Sequence, residues 1–372
     1  MYTKRNYSVK DMLSWTRRYI YIFVILSLIP VLLYTGLRWY WLHLPWLPIG
    51  LVGTALAFII SFKNNATYGR LWEARKIWGG IVNASRSFAM MTNDFITNER
   101  ASKKLSEEEL FKIRKQLILR HVGWMASLRH ALRTPKPWEI SNYNKSDREY
   151  IDNRLNVKER ISTLDEELTD YVINEDKEFI LQQRNKQGAC LKLQSNQLRE
   201  LKEQGYIWEF SFLEMEKMLV EFFALQGKAE RIKNFPYPRQ FATLNRFFIW
   251  IFVFLLPYGM MHEFDKIGKE VVKMTNSWKI NGVFPEGGYH HLIELVGEHF
   301  VWFTIPFSIV ISWIFHTMER IGEVSENPFE GTPNDVPITS MSRGIEIDIR
   351  QIIGDDPNEI PEPIKTLHDT QM

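Results

Sequence analysis

Phe62-Lys63-Asn64-Asn65-Ala66-Thr67-Tyr68-Gly69-Arg70-Leu71-Trp72-Glu73-Ala74-Arg75-Lys76-Ile77-Trp78-Gly79 follows without a break on an uncharged apolar run, residues 46–62. The change is abrupt: residues compatible with hydrocarbon give way to Lys, two Asn, Arg, Glu, Arg and Lys. A helix leaving a bilayer core for a watery protein interior has this composition. Tyr68, Trp72, Arg75 and Gly79 recur at helical spacing, which predicts one helix that continues past the membrane surface.

Working outward, three more apolar runs occupy residues 19–34 (reaching toward Leu37), 241–261 and 300–315. Each uncharged core is shorter than the roughly 20 residues that cross a bilayer unaided. Two readings account for this: buried helices of a soluble protein, or spans completed by polar flanks that face other helices. Trp39, Tyr40, Trp41 and Trp46 cluster around Pro45 between the first two runs. Indole and phenol rings favour the headgroup level, so this short loop reads as an aromatic belt and supports the second reading. The mildly polar mean hydropathy is an average over apolar blocks and charged remainder. No cleavable signal peptide is expected, because the first run lacks a small-x-small site after it.

Basic residues set the orientation. Lys4, Arg5, Lys10, Arg17 and Arg18 precede the first run, and only Arg38 lies between the first two. Lys63, Arg70, Arg75 and Lys76 follow the second; Lys228, Arg231, Lys233 and Arg239 precede the third. Both termini and the long middle segment are therefore expected in the cytoplasm of a multi-pass cell-membrane protein. An even number of spans then puts residues 262–298 outside as a loop, despite Lys266, Lys269, Lys273 and Lys279.

Residues 66–240 read as amphipathic helices. Leu110, Ile113, Leu117, Leu119, Val122 and Met125 make one apolar face, and Phe212, Met215, Met218, Leu219 and Phe222 another. Ser106 followed by three glutamates is a helix start. Residues 155–203 alternate charge with few apolar anchors and read as solvated helices. The expectation is an all-α integral membrane protein, its four transmembrane helices continuous with a large cytoplasmic helical body. Residues 1–65 carry the first two spans (the second helix taken as 46–65), 66–240 the body, 241–320 the last two spans and 321–372 the C-terminal segment.

Net charge of +2 without a basic, aromatic-interleaved stripe argues against a nucleic-acid partner. The single cysteine, Cys190, excludes an internal disulfide and a cysteine metal cluster. The chain shows no nucleophile–base pattern, phosphate-cradling loop or dinucleotide fingerprint, so neither an enzyme nor a cofactor is expected. His290, Glu294 and Glu298 are four apart with His291 beside them, a zinc-compatible spacing that solvated helices also show, and no metal is assigned. Arg246 inside the third run requires a buried partner; a carboxylate of the body is expected, Glu73 among the candidates. Gly50, Thr54, Phe58 and Phe62 share one helix face, which suits packing or lipid as well as a pore. Asn64 and Asn65 offer amide dipoles to an ion of either sign or to a neighbouring helix. Pro236-Tyr237-Pro238 ends a helix near Asn234 and holds the chain extended.

The opening segment resembles the signature at the end of the second membrane helix of the bestrophin family of ion channels. Arg246 followed by Leu255-Leu256-Pro257-Tyr258-Gly259 is similar to that family's third membrane helix. Glu326-Asn327-Pro328-Phe329 followed by Asn334-Asp335-Val336-Pro337 is similar to its C-terminal belt. Residues 136–205 do not align and read as an insertion. The resemblance implies a bestrophin-like homopentamer in a lipid bilayer that passes monovalent ions, anions as in eukaryotic relatives or cations as in some bacterial ones. It places Thr54, Phe58 and Phe62 in a hydrophobic neck, Asn64 and Asn65 beside it, and Tyr237 at a cytoplasmic aperture. Thr54 departs from the bulky apolar residue usual at its position. The stretch from Glu330 to Asp335 has too few carboxylates for the calcium site of eukaryotic members. Residues 327–348 are expected to form an extended belt on neighbouring subunits, anchored by Phe329, Val336, Ile338 and Ile345. A membrane-anchored scaffold without conduction is the rival reading.

Overall fold

The computed structural model describes residues 1–139, 155, 157–280 and 289–372, without the side chains of Lys279 and His290. Among these residues the chain is helical and contains no strand, only two isolated bridges near the termini. Four helical stretches are long and apolar enough to cross a membrane: Val9–Gly36, Tyr40–Phe95, Glu209–Trp278 and Phe300–Val324. The chain divides into two compact units, one of Met1–Lys4, Thr67–Pro236 and Val324–Met372, here the body, and one of Arg5–Ala66 and Tyr237–Glu323, here the apolar unit.

The apolar unit begins with α1 (Val9–Gly36), whose start is fixed by the Ser8 hydroxyl accepting from the Asp11 N–H at 3.1 Å. Next comes α2 (Trp46–Phe95), whose residues from Thr67 onward belong to the body. Then follow α9 (Arg239–Ile280), α10 (Tyr289–Glu298) and α11 (Thr304–Val324). Its core is aromatic and aliphatic: Phe23, Leu56, Ile60, Phe252, Val253 and Leu256 are buried together. Some buried polar groups are matched between helices, as where the Trp313 indole donates to the Thr16 hydroxyl at 2.9 Å. Pro257 sits inside α9, whose neighbours in a membrane unit can re-satisfy the carbonyl it leaves.

The stretch 262–298, expected as a loop, is helical in its described parts, because α9 runs on to Ile280 and packs against α10. Lys266, Lys269 and Lys273 lie three and four apart, so one exposed face carries the charge that masked the helix in the sequence.

The body is built on α3 (Glu107–Arg133). A capping box starts it: Ser106 Oγ accepts from the Glu109 N–H, and the Glu109 carboxylate accepts from the Ser106 N–H at 2.8 Å. Four helices follow, α4 (Lys158–Ile161), α5 (Leu164–Leu168), α6 (Asn174–Gln182) and α7 (Lys186–Glu203), then α8 (Glu209–Asn234) and α12 (Ile338–Ile352). Helix α8 stops at Asn234, ahead of Pro236 and Pro238, as the prolines predict. Helix α7 is not the solvated helix its charges suggest. It buries Ala189, Cys190, Leu191, Leu198 and Leu201, and Gln194 donates to the Leu117 carbonyl of α3 at 2.8 Å. Three leucines share this packing with Ala189, Cys190 and the Gln194 amide, on a face whose apolar pattern is broken by the small and amide residues between them. Gly205 closes α7 at φ +83°: its N–H reaches the Lys202 carbonyl at 3.1 Å, and the Tyr206 N–H reaches Leu201 at 2.9 Å. A side chain there would meet the Arg100 carbonyl at 2.5 Å as well as the unfavourable backbone.

Residues 327–348 are not extended throughout, since α12 begins at Ile338 directly after Pro337, a residue suited to a helix start because no donor is needed there. The expected anchors Phe329, Val336, Ile338 and Ile345 are buried in the core of the chain's own body.

Charge is buried in the body too. Arg129 pairs with Glu159 and, at 2.5 Å, with Glu167; Glu167 also takes His130 and Lys158, each at 2.9 Å. Burial alone would raise the Glu167 carboxyl pKa, but the His130 hydrogen bond and the charges of Arg129 and Lys158 outweigh it and hold it well below the usual carboxylate range. His121 lies among the rings of Phe88, Trp124 and Phe222, with Nε2 2.8 Å from Ser85 Oγ. Burial pushes its pKa down to about 3.

Candidate functional site

Helix α2 shows its two sides most clearly within the apolar unit. Ile49, Leu56, Ile60 and Lys63 are buried, whereas Thr54, Phe58, Phe62 and Asn65 are exposed. Successive residues turn by about 100°, so spacings of three and four keep the second set on one face. Phe58 is 63% exposed and Phe62 72%. A single large apolar side chain in the open needs no explanation, but aligned phenylalanines on the uncharged first part of α2 mark a surface meant for something other than bulk water. The Thr54 hydroxyl donates to the Gly50 carbonyl at 3.0 Å. Its hydrogen is thereby satisfied within the helix, and the threonine is less polar toward its surroundings than its formula suggests.

The two asparagines separate. Asn65 lies on the exposed face, while Asn64 is half-buried and donates to the Met318 carbonyl of α11 at 3.1 Å. Of the two earlier readings of these amides, the helix-to-helix bond describes Asn64. Tyr237 is half-buried at the start of the apolar unit, its ring 6.4 Å from that of Phe241. Within the apolar unit, the structure thus brings Thr54, Phe58, Phe62 and Asn65 onto one face and sets Asn64 aside from it.

Beside that face lies a cluster the sequence reading did not find. Lys63 Nζ pairs with Glu319 of α11, and both side chains are buried. One turn on, Glu323 takes Arg246 of α9 and, at 2.6 Å, Arg320. The expected partner of Arg246 is corrected accordingly: Glu73 pairs instead with Arg231 within the body, at 2.8 Å. A signal was available. Glu319 and Glu323 are four apart at the end of the last apolar run, where two acids on one face call for cations from neighbouring spans.

Among the described residues no group of three or more His, Cys, Asp or Glu side chains is placed to hold a metal. His290 of the spacing noted above has its side chain outside the described residues. After Phe329 the Asp335 carboxylate is turned onto its own loop. Oδ2 accepts from the N–H groups of Gly331 and Thr332 at 2.7 and 2.8 Å, and Oδ1 accepts from the Thr332 hydroxyl at 2.7 Å. A cavity of about 710 Å³ lies between α9 and α10, lined by Asp265, Lys269, Lys273, Asn276 and Glu298 among others; none of the residues of the α2 face line it.

Comparison with known proteins adds to this geometry. Residues 12–275 and 293–351 match the family described as Bacterial/Fungal Bestrophin protein. A protein of Ralstonia nicotianae named as a voltage-dependent anion channel-forming protein is 25% identical over 322 residues, covering 84% of this chain and 82% of that one. An Escherichia coli K12 protein with the same descriptive name is 22% identical over 317 residues, covering 85% and 79%. In fold, the chain is similar to a bacterial bestrophin homologue from Klebsiella pneumoniae, with TM-score 0.67, 20% identity, and coverage of 91% of this chain and 98% of that one. With the second-helix signature, the helical fold and a match over most of its length in agreement, the chain belongs to the bacterial and fungal bestrophin family.

Proposed function

We propose that this protein is an ion channel assembled as a ring of five copies in the cell membrane, with α2 of each copy facing the axis. Thr54, Phe58 and Phe62 form an apolar neck there, Asn65 offers an amide just below it, and Tyr237 narrows a cytoplasmic aperture. The observation that carries the reading is that Phe58 and Phe62 stand open together on one face of α2, while Ile49, Leu56, Ile60 and Lys63 are buried on another. One copy cannot enclose a pore, and a ring of identical copies turns that face inward. An apolar constriction stops ions by dewetting and opens by widening, so conduction needs no catalytic group. The named relatives form anion channels, which supports small monovalent anions as the permeant species. The body and both chain ends lie on the cytoplasmic side, as the distribution of basic residues around the spans argues.

Purified protein in liposomes loaded with a halide-sensitive dye tests the reading: flux is expected. A reversal potential across a chloride gradient then reads the ion sign. Absence of flux from a protein that is pentameric by native mass spectrometry would leave a membrane-anchored scaffold instead.

A further inference from the structure

The buried pair Lys63–Glu319 stands immediately next to the exposed Phe62 in sequence, yet on another side of α2. Lys63 is 1% exposed and Phe62 72%. A charge placed at that depth is costly without a partner, and Glu319 of α11 supplies one. Glu319 Oε2 is itself buried with no hydrogen-bond partner among the described residues, so the carboxylate depends on Lys63. Two further features fix the same junction. Asn64 Nδ2 donates to the Met318 carbonyl at 3.1 Å. Gly322 lets the helices approach: a Cβ there would lie 2.1 Å from Asn64 Oδ1 and 3.7 Å from Lys63 Cδ. Three consecutive residues of α2 therefore have set directions, with Lys63 and Asn64 held against α11 and Phe62 turned away.

We propose that the Lys63–Glu319 pair, with Asn64–Met318 and Gly322, is a strut that fixes the rotation of α2 about its axis and so positions Phe62; Lys63 and Glu319 are positioning residues for the constriction. The proposal rests on the channel reading for its consequence but not for its geometry. Rotating α2 by a fraction of its 100° step would carry Phe62 off the axis and widen the neck.

The test uses the full-length protein, whose single cysteine, Cys190, is buried. Phe62→Cys and, separately, Ser61→Cys introduce accessible thiols on neighbouring directions of α2. Their modification rates by a charged methanethiosulfonate give a ratio that reports the helix's rotation. Adding Glu319→Gln or Lys63→Met is expected to change that ratio at least fivefold, because each leaves one buried group without its partner. The double change Lys63→Met with Glu319→Gln should return it to within about twofold of the starting value, since neutral side chains of similar size fill the junction together. Gly322→Ala, which displaces the Asn64 amide without touching a charge, should move the ratio about twofold. It serves as the second variant if a charge variant fails to fold.

Unchanged ratios in the single variants, or effects of the two charge changes that simply add, would overturn the strut. Liposome flux of the same variants in the Phe62 background should change at least fivefold with either single charge change. Flux that is absent from the parent counts against the channel reading while the thiol ratio still decides the strut; flux present but insensitive to all three variants counts against the strut alone.

Discussion

The two units both bury charge but differ in how much apolar surface they leave open. In the body, apolar side chains point inward and charge is buried with them: Trp124, Phe222 and Phe329 are fully enclosed, and Arg129, Glu159 and Glu167 lie among helices that pack around them. In the apolar unit, Ile25, Ile29, Leu51, Phe58, Phe254, Phe307 and Ile314 remain open. The difference is one of solvent. The body has the inside and outside of a protein in water. The apolar unit needs lipid or further copies around it, and between its helices packing and interhelical bonds must do what the hydrophobic effect does elsewhere.

The comparison breaks most sharply at a buried charge of the body. Arg129→Met removes the cation shared by Glu159 and Glu167, and should destabilise the body by about 3–5 kcal/mol. Denaturant unfolding of the detergent-solubilised protein, followed by tryptophan fluorescence, would measure it; a loss under about 1 kcal/mol would mean that water reaches these carboxylates.

Acid probes the same region more gently. His121 is held neutral, with its pKa depressed to about 3 against an ordinary value near 6.5. Between those values the unfolded chain binds the proton and the folded chain does not, so stability rises with pH across this window. It is fully present above about pH 6.5 and falls away as pH drops toward 3. The depressed Glu167 and Glu159 carboxyls act in the same direction but only below the ordinary carboxylate range. His121→Leu should therefore flatten the melting temperature between pH 6.5 and 5 and make its fall less steep below that, where the carboxyls still act. A wild-type melting temperature that does not fall over that interval would contradict the buried neutral imidazole.

On the exposed face of the apolar unit the expectation reverses. Phe58→Ala and Phe62→Ala should change unfolding by no more than about 0.5 kcal/mol, because neither ring is packed within the chain. Both should raise conductance or open probability by widening and wetting the neck, and Thr54→Ile should act oppositely. Single-channel recording decides it; unchanged currents in both alanine variants would remove these residues from the pore. The smallest effect is expected from calcium. With the Asp335 oxygens engaged by Gly331 and Thr332, currents should be equal in excess chelator and in micromolar calcium. A reproducible calcium-dependent current would place the ligands elsewhere in the chain.

What could be read from the sequence was local. The Ser106 start, the stop at Asn234 before two prolines, and the shared direction of Thr54, Phe58 and Phe62 follow from spacings within a few residues. What could not be read joined distant positions. Arg246 finds Glu323 rather than Glu73, and Lys63 finds Glu319, because helix packing chooses among many carboxylates that spacing leaves equivalent. The continuation of α9 to Ile280 was hidden by a lysine face, and the packing of α7 by the charged and amide residues that separate its leucines. Asn64 and Asn65 are chemically identical neighbours whose roles part only once α11 is in place.

The body's discontinuity in sequence bears on how the protein is made. Phe329, Val336, Ile338, Ile345, Ile349 and Ile353 complete a core whose other buried members, from Ala74 to Ile232, are synthesised before the third and fourth apolar helices. At roughly 5–20 residues per second, the ribosome takes about 5–20 s to travel from Ile232 to Phe329. Throughout that interval the nascent body carries an open apolar seam while its own chain is still feeding helices toward a bilayer. A chaperone or the translocation machinery has a defined period in which to shield that seam, and codon choice between the third and fourth helices sets its length.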